Sequence, residues 1–189
     1  MTTLALLVVR AVAGGLIAGH GAQKLFGWFG GGGPEGTTAM LTALKVRPPE
    51  RWAVVGGASE FFGGVLTLLG LLNPLGPFLA IAAMATATLT AHKGKPIWGQ
   101  KGGAELPVTN MAVMIALTLA GPGAISLDAV FGTKVPWWFS FLALAGVGAG
   151  VALATHPEPL ALPAPERGRM RPEPARPEPA RAEVAARTA

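Results

Sequence analysis

Long apolar runs alternate with shorter glycine-, proline- and charge-rich segments along most of this chain. The runs cover residues 4–26, 52–72, 75–91, 106–120 and 137–155. About 20 apolar residues in a helix cross the hydrocarbon core of a bilayer. The pattern therefore predicts an all-α integral membrane protein, with a bundle of transmembrane helices over residues 1–155.

The segments between the runs carry turn signals. Gly30-Gly-Gly-Gly-Pro34 predicts a flexible loop after the first run, and Pro48-Pro49 stops any helix before the second. Between these two signals, residues 37–45 are compatible with a short helix at the membrane interface. The remaining connections, a tight turn at 73–74 and loops over 92–105 and 121–135, predict helices that alternate in direction.

From residue 156 to residue 189 the composition changes to proline, arginine and glutamate. The pentamer Arg-Pro-Glu-Pro-Ala occurs at 171–175 and again at 176–180. A segment with so few large apolar groups cannot bury a core. We therefore expect a disordered tail over residues 156–189, and a solvated tail is favoured over a specific proline-motif ligand.

Composition supports the membrane assignment. Hydrophobic residues make up 51% of the chain and charged residues 13%, against roughly 25% charged in a soluble domain. The net charge is +5, but the basic residues flank the apolar runs and form no stripe with interleaved aromatics, which argues against nucleic-acid binding. The chain has no cysteine, which excludes disulfides, thiol chemistry and cysteine-ligated metal centres.

The distribution of basic residues predicts an orientation in the plasma membrane. Five spans place the loops 27–51 and 92–105 on the same side as the tail, whereas the opposite side holds Lys134. The positive-inside rule makes the basic side cytoplasmic, so we expect a multi-pass protein with its N-terminus outside and its C-terminus inside. The residues that carry this bias are Lys45, Arg47, Arg51, Lys93, Lys95, Lys101 and six tail arginines.

The first apolar run contains the ionisable residues Arg10, His20 and Lys24. At ~100° per residue these three side chains fall within roughly 80° of one another. Ionisable groups inside a span are costly and usually face protein or water, so this polar face needs a cover. The glycine pair Gly15 and Gly19 predicts close packing of this helix against a neighbour.

Glu60 is the counterpart in the second run, and it lies on a face of small residues that a neighbouring helix can approach. Counting ~1.5 Å per residue from the basic side, His20 matches the depth of Glu60, and Arg10 lies deeper. We therefore expect Glu60 to pair with His20, with Arg10 reaching toward it or finding another acceptor. The glycines of the Glu60 face are Gly56, Gly57, Gly63 and Gly64.

Two interpretations of this polar centre stay open. It is either a structural ion pair that orients two helices, or a site for a proton, a quinone headgroup or a small polar substrate. In the fourth run, Glu105 and Asn110 are further polar candidates near one interface. We expect no metal site. His20 is disfavoured as a haem ligand, because no second histidine lies in a span at matching depth.

These residues together resemble the DoxX family of small bacterial and archaeal membrane proteins. The resemblance covers roughly residues 4–130 and rests on the order and spacing of loose motifs. It implies a four-helix bundle, to which this chain adds a fifth transmembrane helix and the tail. The motifs are Arg10, His20-Gly21 with Lys24, Glu60 with Gly63-Gly64 and Leu66, Gly102-Gly103-Ala104-Glu105, and Gly121-Pro-Gly123 with Ser126-Leu127-Asp128.

The family takes its name from a subunit associated with thiosulfate:quinone oxidoreductase, so the resemblance implies a subunit of a quinone-linked redox complex. It carries over no catalytic residue, and whether the chain is an enzyme stays open. This interpretation adds a quinone as the cofactor and a soluble redox enzyme as a partner besides the lipid bilayer. A homo-oligomer also stays open. The alternatives are a non-enzymatic scaffold that recruits soluble partners and, ranked lowest, a small-solute carrier, for which an inverted repeat is missing.

Overall fold

The computed structural model describes residues 2–155, and all regular secondary structure within this range is helical. The predicted tail over residues 156–189 lies outside the described residues. Two short 3-10 turns, Trp28–Gly30 and Gly99–Lys101, precede α2 and α5. The helices are α1 (Thr2–Phe26), α2 (Gly33–Ala43), α3 (Pro49–Leu69), α4 (Leu75–Leu89), α5 (Glu105–Ala120), α6 (Leu127–Phe131) and α7 (Trp137–Thr155).

Each predicted apolar run contains one helix, with ends within a few residues of those expected. By length and composition, α1, α3 and α7 are each long and apolar enough to cross a membrane. The helices α4 and α5 are equally apolar but shorter, at 15 and 16 residues. The short helix expected over residues 37–45 corresponds to α2, which begins four residues earlier, and the short α6 falls in a segment predicted as a loop.

The glycine-rich stretch predicted as a loop forms a turn and the start of α2. Gly27 and Gly33 both adopt positive φ values, 69° and 62°, which a residue without a Cβ takes up at little cost. Pro34 then begins α2 in its first turn, a position that tolerates the missing amide hydrogen. The helix packs against α1 and α3, and the hydroxyl of Thr37 donates to the carbonyl of Gly33 at 2.8 Å.

The most extensive helix contact joins α1 and α3 and depends on glycine. A Cβ added at Gly14 would lie 2.7 Å from the backbone nitrogen of Leu68. A Cβ at Gly64 would clash with the backbone of Gly14 and Ala18. The two backbones are therefore close enough that most side chains are excluded from the contact, as small residues permit in membrane helices.

The prediction of the packing glycines was partly wrong. No atom of the described chain lies within 4 Å of a Cβ built at Gly15, Gly19 or Gly56, outside their own local backbone. On α1 the contact face is instead formed by Gly14 and Gly21. Gly14 lies one residue before Gly15, and Gly21 lies two residues after Gly19. Since each residue rotates by about 100°, this small offset moves the face to another side of the helix.

Two different helix contacts involve the predicted packing glycines Gly57, Gly63 and Gly64. Gly57 meets the side chains of Leu25 and Lys24 of α1, as Gly64 meets its backbone. Gly63 faces α4, where an added Cβ would lie 2.9 Å from the nitrogen of Ala80. Adjacent glycines therefore let α3 approach a neighbour on each side.

A small apolar core lies where α1, α4 and α5 meet. Ile17 of α1, Ala80 of α4, and Met114 and Leu117 of α5 are all buried there. Thr67 of α3 donates to the carbonyl of Gly63 at 2.7 Å and also contacts the sulfur of Met114. The helices α1, α3, α4 and α5 thus share one interior, and α7 packs against α4.

Candidate ligand site

Glu60 is the buried carboxylate at the centre of the candidate site. Its side chain is 3% exposed, and its Oε1 atom lies 2.5 Å from Nζ of Lys24. The close contact of α1 with Gly57 positions Lys24 beside α3. Within residues 2–155, the second carboxylate oxygen, Oε2, has no hydrogen-bond partner. The pair therefore leaves one buried acceptor unsatisfied, which is costly unless a further group supplies a hydrogen.

His20 does not join this pair, and the predicted pairing of Glu60 with His20 was wrong. The imidazole of His20 is exposed, and its Nδ1 atom lies 3.2 Å from Oε1 of Gln23. The depth estimate was sound, since Gly21 contacts the backbone of Phe61. The predicted direction of the His20 side chain was wrong, because His20 lies about 100° around the helix from Gly21.

Of the two alternatives expected for Arg10, the structure shows the second: Arg10 finds acceptors other than Glu60. Its guanidinium donates to the carbonyl of Pro122 and, at 2.8 Å, to that of Ile125. It also lies 3.5 Å from the carbonyl of Leu68 in the last turn of α3. A cation among the free carbonyls of a helix end is a favourable placement, so Arg10 joins the loop after α5 to α3.

Asp128 is a polar residue that the site prediction omitted. Its carboxylate accepts hydrogen bonds from the backbone nitrogens of Leu72 at 2.8 Å and Asn73 at 2.9 Å. Asp128 thereby holds the turn between α3 and α4, in which Leu72 has a positive φ of 53°. The sequence signal is Ser126 two residues before it, whose side chain accepts from the nitrogen of Ala129 and caps α6.

The two candidates on α5 lie apart from Glu60. The carboxylate of Glu105 is exposed and accepts from the nitrogen of Gly99 at 2.7 Å, which fixes the turn before α5. The amide of Asn110 lies 3.8 Å from the sulfur of Met84. Of the six predicted polar residues, the structure therefore brings Lys24 and Glu60 together.

A largely apolar cavity of about 360 Å³ adjoins this pair. Its walls come from α2, α3, α4 and α7, and both Glu60 and Lys24 line it. On the α7 side the wall is made of small residues, including Gly146 and Gly150. Gly56 also faces the cavity, which explains why nothing packs on it. Apolar residues on the other walls include Met40, Val55, Phe78 and Ala83.

The cavity is lined mainly by apolar side chains and by few polar groups. No group of three or more His, Asp or Glu side chains that could hold a metal occurs within residues 2–155. An apolar cavity with a few convergent polar groups is typical of small-molecule sites, whose volumes run from roughly 300 to 1,000 Å³. The charged groups that line the cavity are the carboxylate of Glu60 and the ammonium group of Lys24.

Comparison with protein families matches residues 5–93 to the DoxX family model. The protein carries a DoxX domain. This confirms the family resemblance over residues 5–93, and with three apolar helices of sufficient length it indicates a multi-pass membrane protein. Comparison with curated proteins and with solved structures found no match.

The matched range contains the charged pair but not all of the helices that line the cavity. Lys24, Glu60, the helices α2 to α4 and all but the first three residues of α1 lie within residues 5–93. Asp128 and the whole of α7 lie beyond it. The charged pair is therefore part of the DoxX domain, whereas one wall of the cavity is supplied by a helix outside the match.

Proposed function

We propose that this DoxX protein is a membrane subunit of a quinone-linked redox complex and that it binds a quinone in the cavity beside Lys24 and Glu60. The observation that carries the proposal is the buried carboxylate of Glu60, a residue that lines an apolar cavity and whose Oε2 atom has no hydrogen-bond partner within the described chain. A quinone has a polar ring and an apolar tail, and it carries electrons and protons between membrane enzymes. The redox complex and its soluble enzyme remain an inference from the family.

The residues present fit such a ligand. Lys24 has three ammonium hydrogens, and its side chain is 31% exposed, so it can donate to a ring oxygen while it stays paired with Glu60. The apolar walls of α3, α4 and α7 suit the tail. Here the chain orients the ring, keeps water away from it and offers a carboxylate at which a proton can be held.

We further propose a four-plus-one transmembrane arrangement, with α1, α3, α4 and α5 as the bundle and α7 as the added span. The N-terminus would be outside and the C-terminus cytoplasmic, because Lys45, Lys93 and Lys95 lie in loops on one side of the alternating helices. In this orientation, Glu60 is the residue of the α3 wall farthest from the cytoplasmic face, and Trp52 is the nearest.

The orientation has a direct test, because the chain contains no cysteine. We expect a Lys95→Cys variant to resist a membrane-impermeant maleimide in intact cells and to react after the cells are opened. A Lys134→Cys variant is the matched control and should react in intact cells. Labelling of position 95 in intact cells would reverse the proposed orientation.

A cavity-filling substitution tests quinone binding. A Cβ at Gly150 meets no described atom within 4 Å, and Gly150 lines the cavity, so we expect Gly150→Leu to fold and to fill the space. The affinity for a short-tailed benzoquinone, measured by equilibrium dialysis on protein in lipid nanodiscs, should fall at least about tenfold, since a ligand atom cannot share occupied volume.

Gly148 provides the control for this experiment. It lies on the same helix with equal space around it, but it does not line the cavity. Gly148→Leu should therefore bind the quinone as the unchanged protein does. If the unchanged protein binds no quinone, or if both leucine variants bind it equally well, quinone binding in this cavity is ruled out.

A further inference from the structure

We propose that the cavity selects a ligand whose polar end donates a hydrogen bond, and that it therefore binds the hydroquinone form in preference to the quinone. This inference rests on the proposed function, since it names the form of the quinone that the site accepts. It concerns the affinity of the two forms and includes no electron transfer.

The Oε2 atom of Glu60 sets this preference. An ionised carboxylate accepts hydrogen bonds and donates none. Its other oxygen, Oε1, is paired with the ammonium group of Lys24. Within the described chain, Oε2 is buried and has no partner, although it belongs to a residue that lines the cavity. A ligand that supplies a hydrogen would satisfy it, and a ligand that supplies a lone pair would not.

The neighbouring hydroxyl groups do not supply this hydrogen. Thr37 donates to the carbonyl of Gly33 at 2.8 Å. Thr86 and Thr90, which line the cavity from the α4 side, donate to carbonyls one turn earlier at 2.9 and 2.7 Å. These three hydrogens are engaged within helices. Ser59 also lines the cavity, but its hydroxyl makes no hydrogen bond to Oε2, which has no partner within the described chain. A ligand in the cavity can therefore supply the donor that Oε2 lacks.

The two forms of the ring differ in what they offer at this position. A hydroquinone hydroxyl can donate to Oε2 of Glu60 and accept from the ammonium group of Lys24 with the same oxygen. A quinone carbonyl can accept from Lys24, but it faces Oε2 with a lone pair and leaves that oxygen unsatisfied. Hydrogen bonds to charged groups are the stronger class, and a buried acceptor left unpaired is costly, so we expect about a tenfold or greater preference for the hydroquinone.

The test compares dissociation constants of one short-tailed benzoquinone in its oxidised and reduced forms. Both are measured by anaerobic equilibrium dialysis on the full chain in lipid nanodiscs. We expect the hydroquinone to bind at least about tenfold more tightly than the quinone. In Glu60→Gln the side-chain amide can itself donate to a carbonyl, so the preference should disappear. Glu105→Gln is the control, because Glu105 lies outside the cavity, and it should keep the preference.

A second comparison needs no variant of Glu60 and stays informative if Glu60→Gln fails to fold. The dimethyl ether of the same hydroquinone keeps the ring and tail but has no hydroxyl hydrogen. It should bind the unchanged protein at least about tenfold more weakly than the hydroquinone. Equal affinity of hydroquinone and ether, or of hydroquinone and quinone, would overturn the donor preference while leaving quinone binding intact. Failure of every form to bind would refute the proposed function itself.

Discussion

Lys24→Met is expected to lower the free energy of unfolding by about 3–5 kcal/mol, because it leaves the carboxylate of Glu60 buried without its cation. Glu60 is 3% exposed in its side chain, so solvent cannot replace Lys24 as its partner. Methionine keeps most of the length of lysine, and the loss therefore reports the charge rather than the packing. The measurement is reversible unfolding of the purified protein by a titration from mild detergent into sodium dodecyl sulfate.

The pair should respond unequally to its two single substitutions. Glu60→Gln leaves Lys24, whose side chain is 31% exposed and can extend toward water, so its cost should be smaller than that of Lys24→Met. The double variant Lys24→Met with Glu60→Gln should recover part of the loss, since no charge is stranded. His20→Ala is the control and should be close to neutral. A loss from His20→Ala as large as that from Lys24→Met would mean that His20, and not Lys24, is the partner of Glu60.

The second large effect is expected from Gly64→Leu, which should destabilise the protein by about 3 kcal/mol in the same unfolding titration. A side chain at this position meets the backbone of Gly14 and Ala18 in α1. Backbone atoms cannot rotate away as a side chain can, so α1 and α3 would have to separate. Their separation would also pull Lys24 from Glu60.

Gly15→Leu is the matched control for this effect. It places the same side chain on α1, at a glycine whose added Cβ meets no described atom within 4 Å. Leucine also favours the helical conformation over glycine by roughly 0.5–1 kcal/mol, so this variant should be neutral or slightly more stable. Equal losses from the two variants would show that the α1–α3 contact described here is wrong.

The helices were predictable from the sequence because long apolar runs and proline or glycine punctuation fix where a helix begins and ends. The partner of Glu60 was not. His20 and Lys24 lie about one helical turn apart, and a depth estimate with an error of one turn, ~5.4 Å, cannot choose between them. The choice depends on which side of α1 faces α3. Packing at Gly14 and packing at Gly15 would turn different sides of α1 toward α3.

The second polar cluster and the cavity depend on contacts between distant parts of the chain. Arg10 and Pro122 are 112 residues apart, and no local pattern links them. The cavity requires the packing of α7 on α4, and α7 is apolar on all sides, so its sequence does not mark the face that lines the cavity. Its small residues, such as Gly146 and Gly150, mark that face only once the neighbouring helices are placed.

The most direct test of the central claim is to locate a photoactivatable quinone bound to the full chain in lipid nanodiscs. After irradiation and proteolysis, mass spectrometry identifies the labelled residues. Binding in the cavity predicts labels on α3 near Val55 and on α7 near Val147, and it predicts that an excess of unmodified quinone removes them. Labels confined to the exposed face of α1 around His20, or labels that excess quinone does not reduce, would contradict the assignment of this cavity as the quinone site.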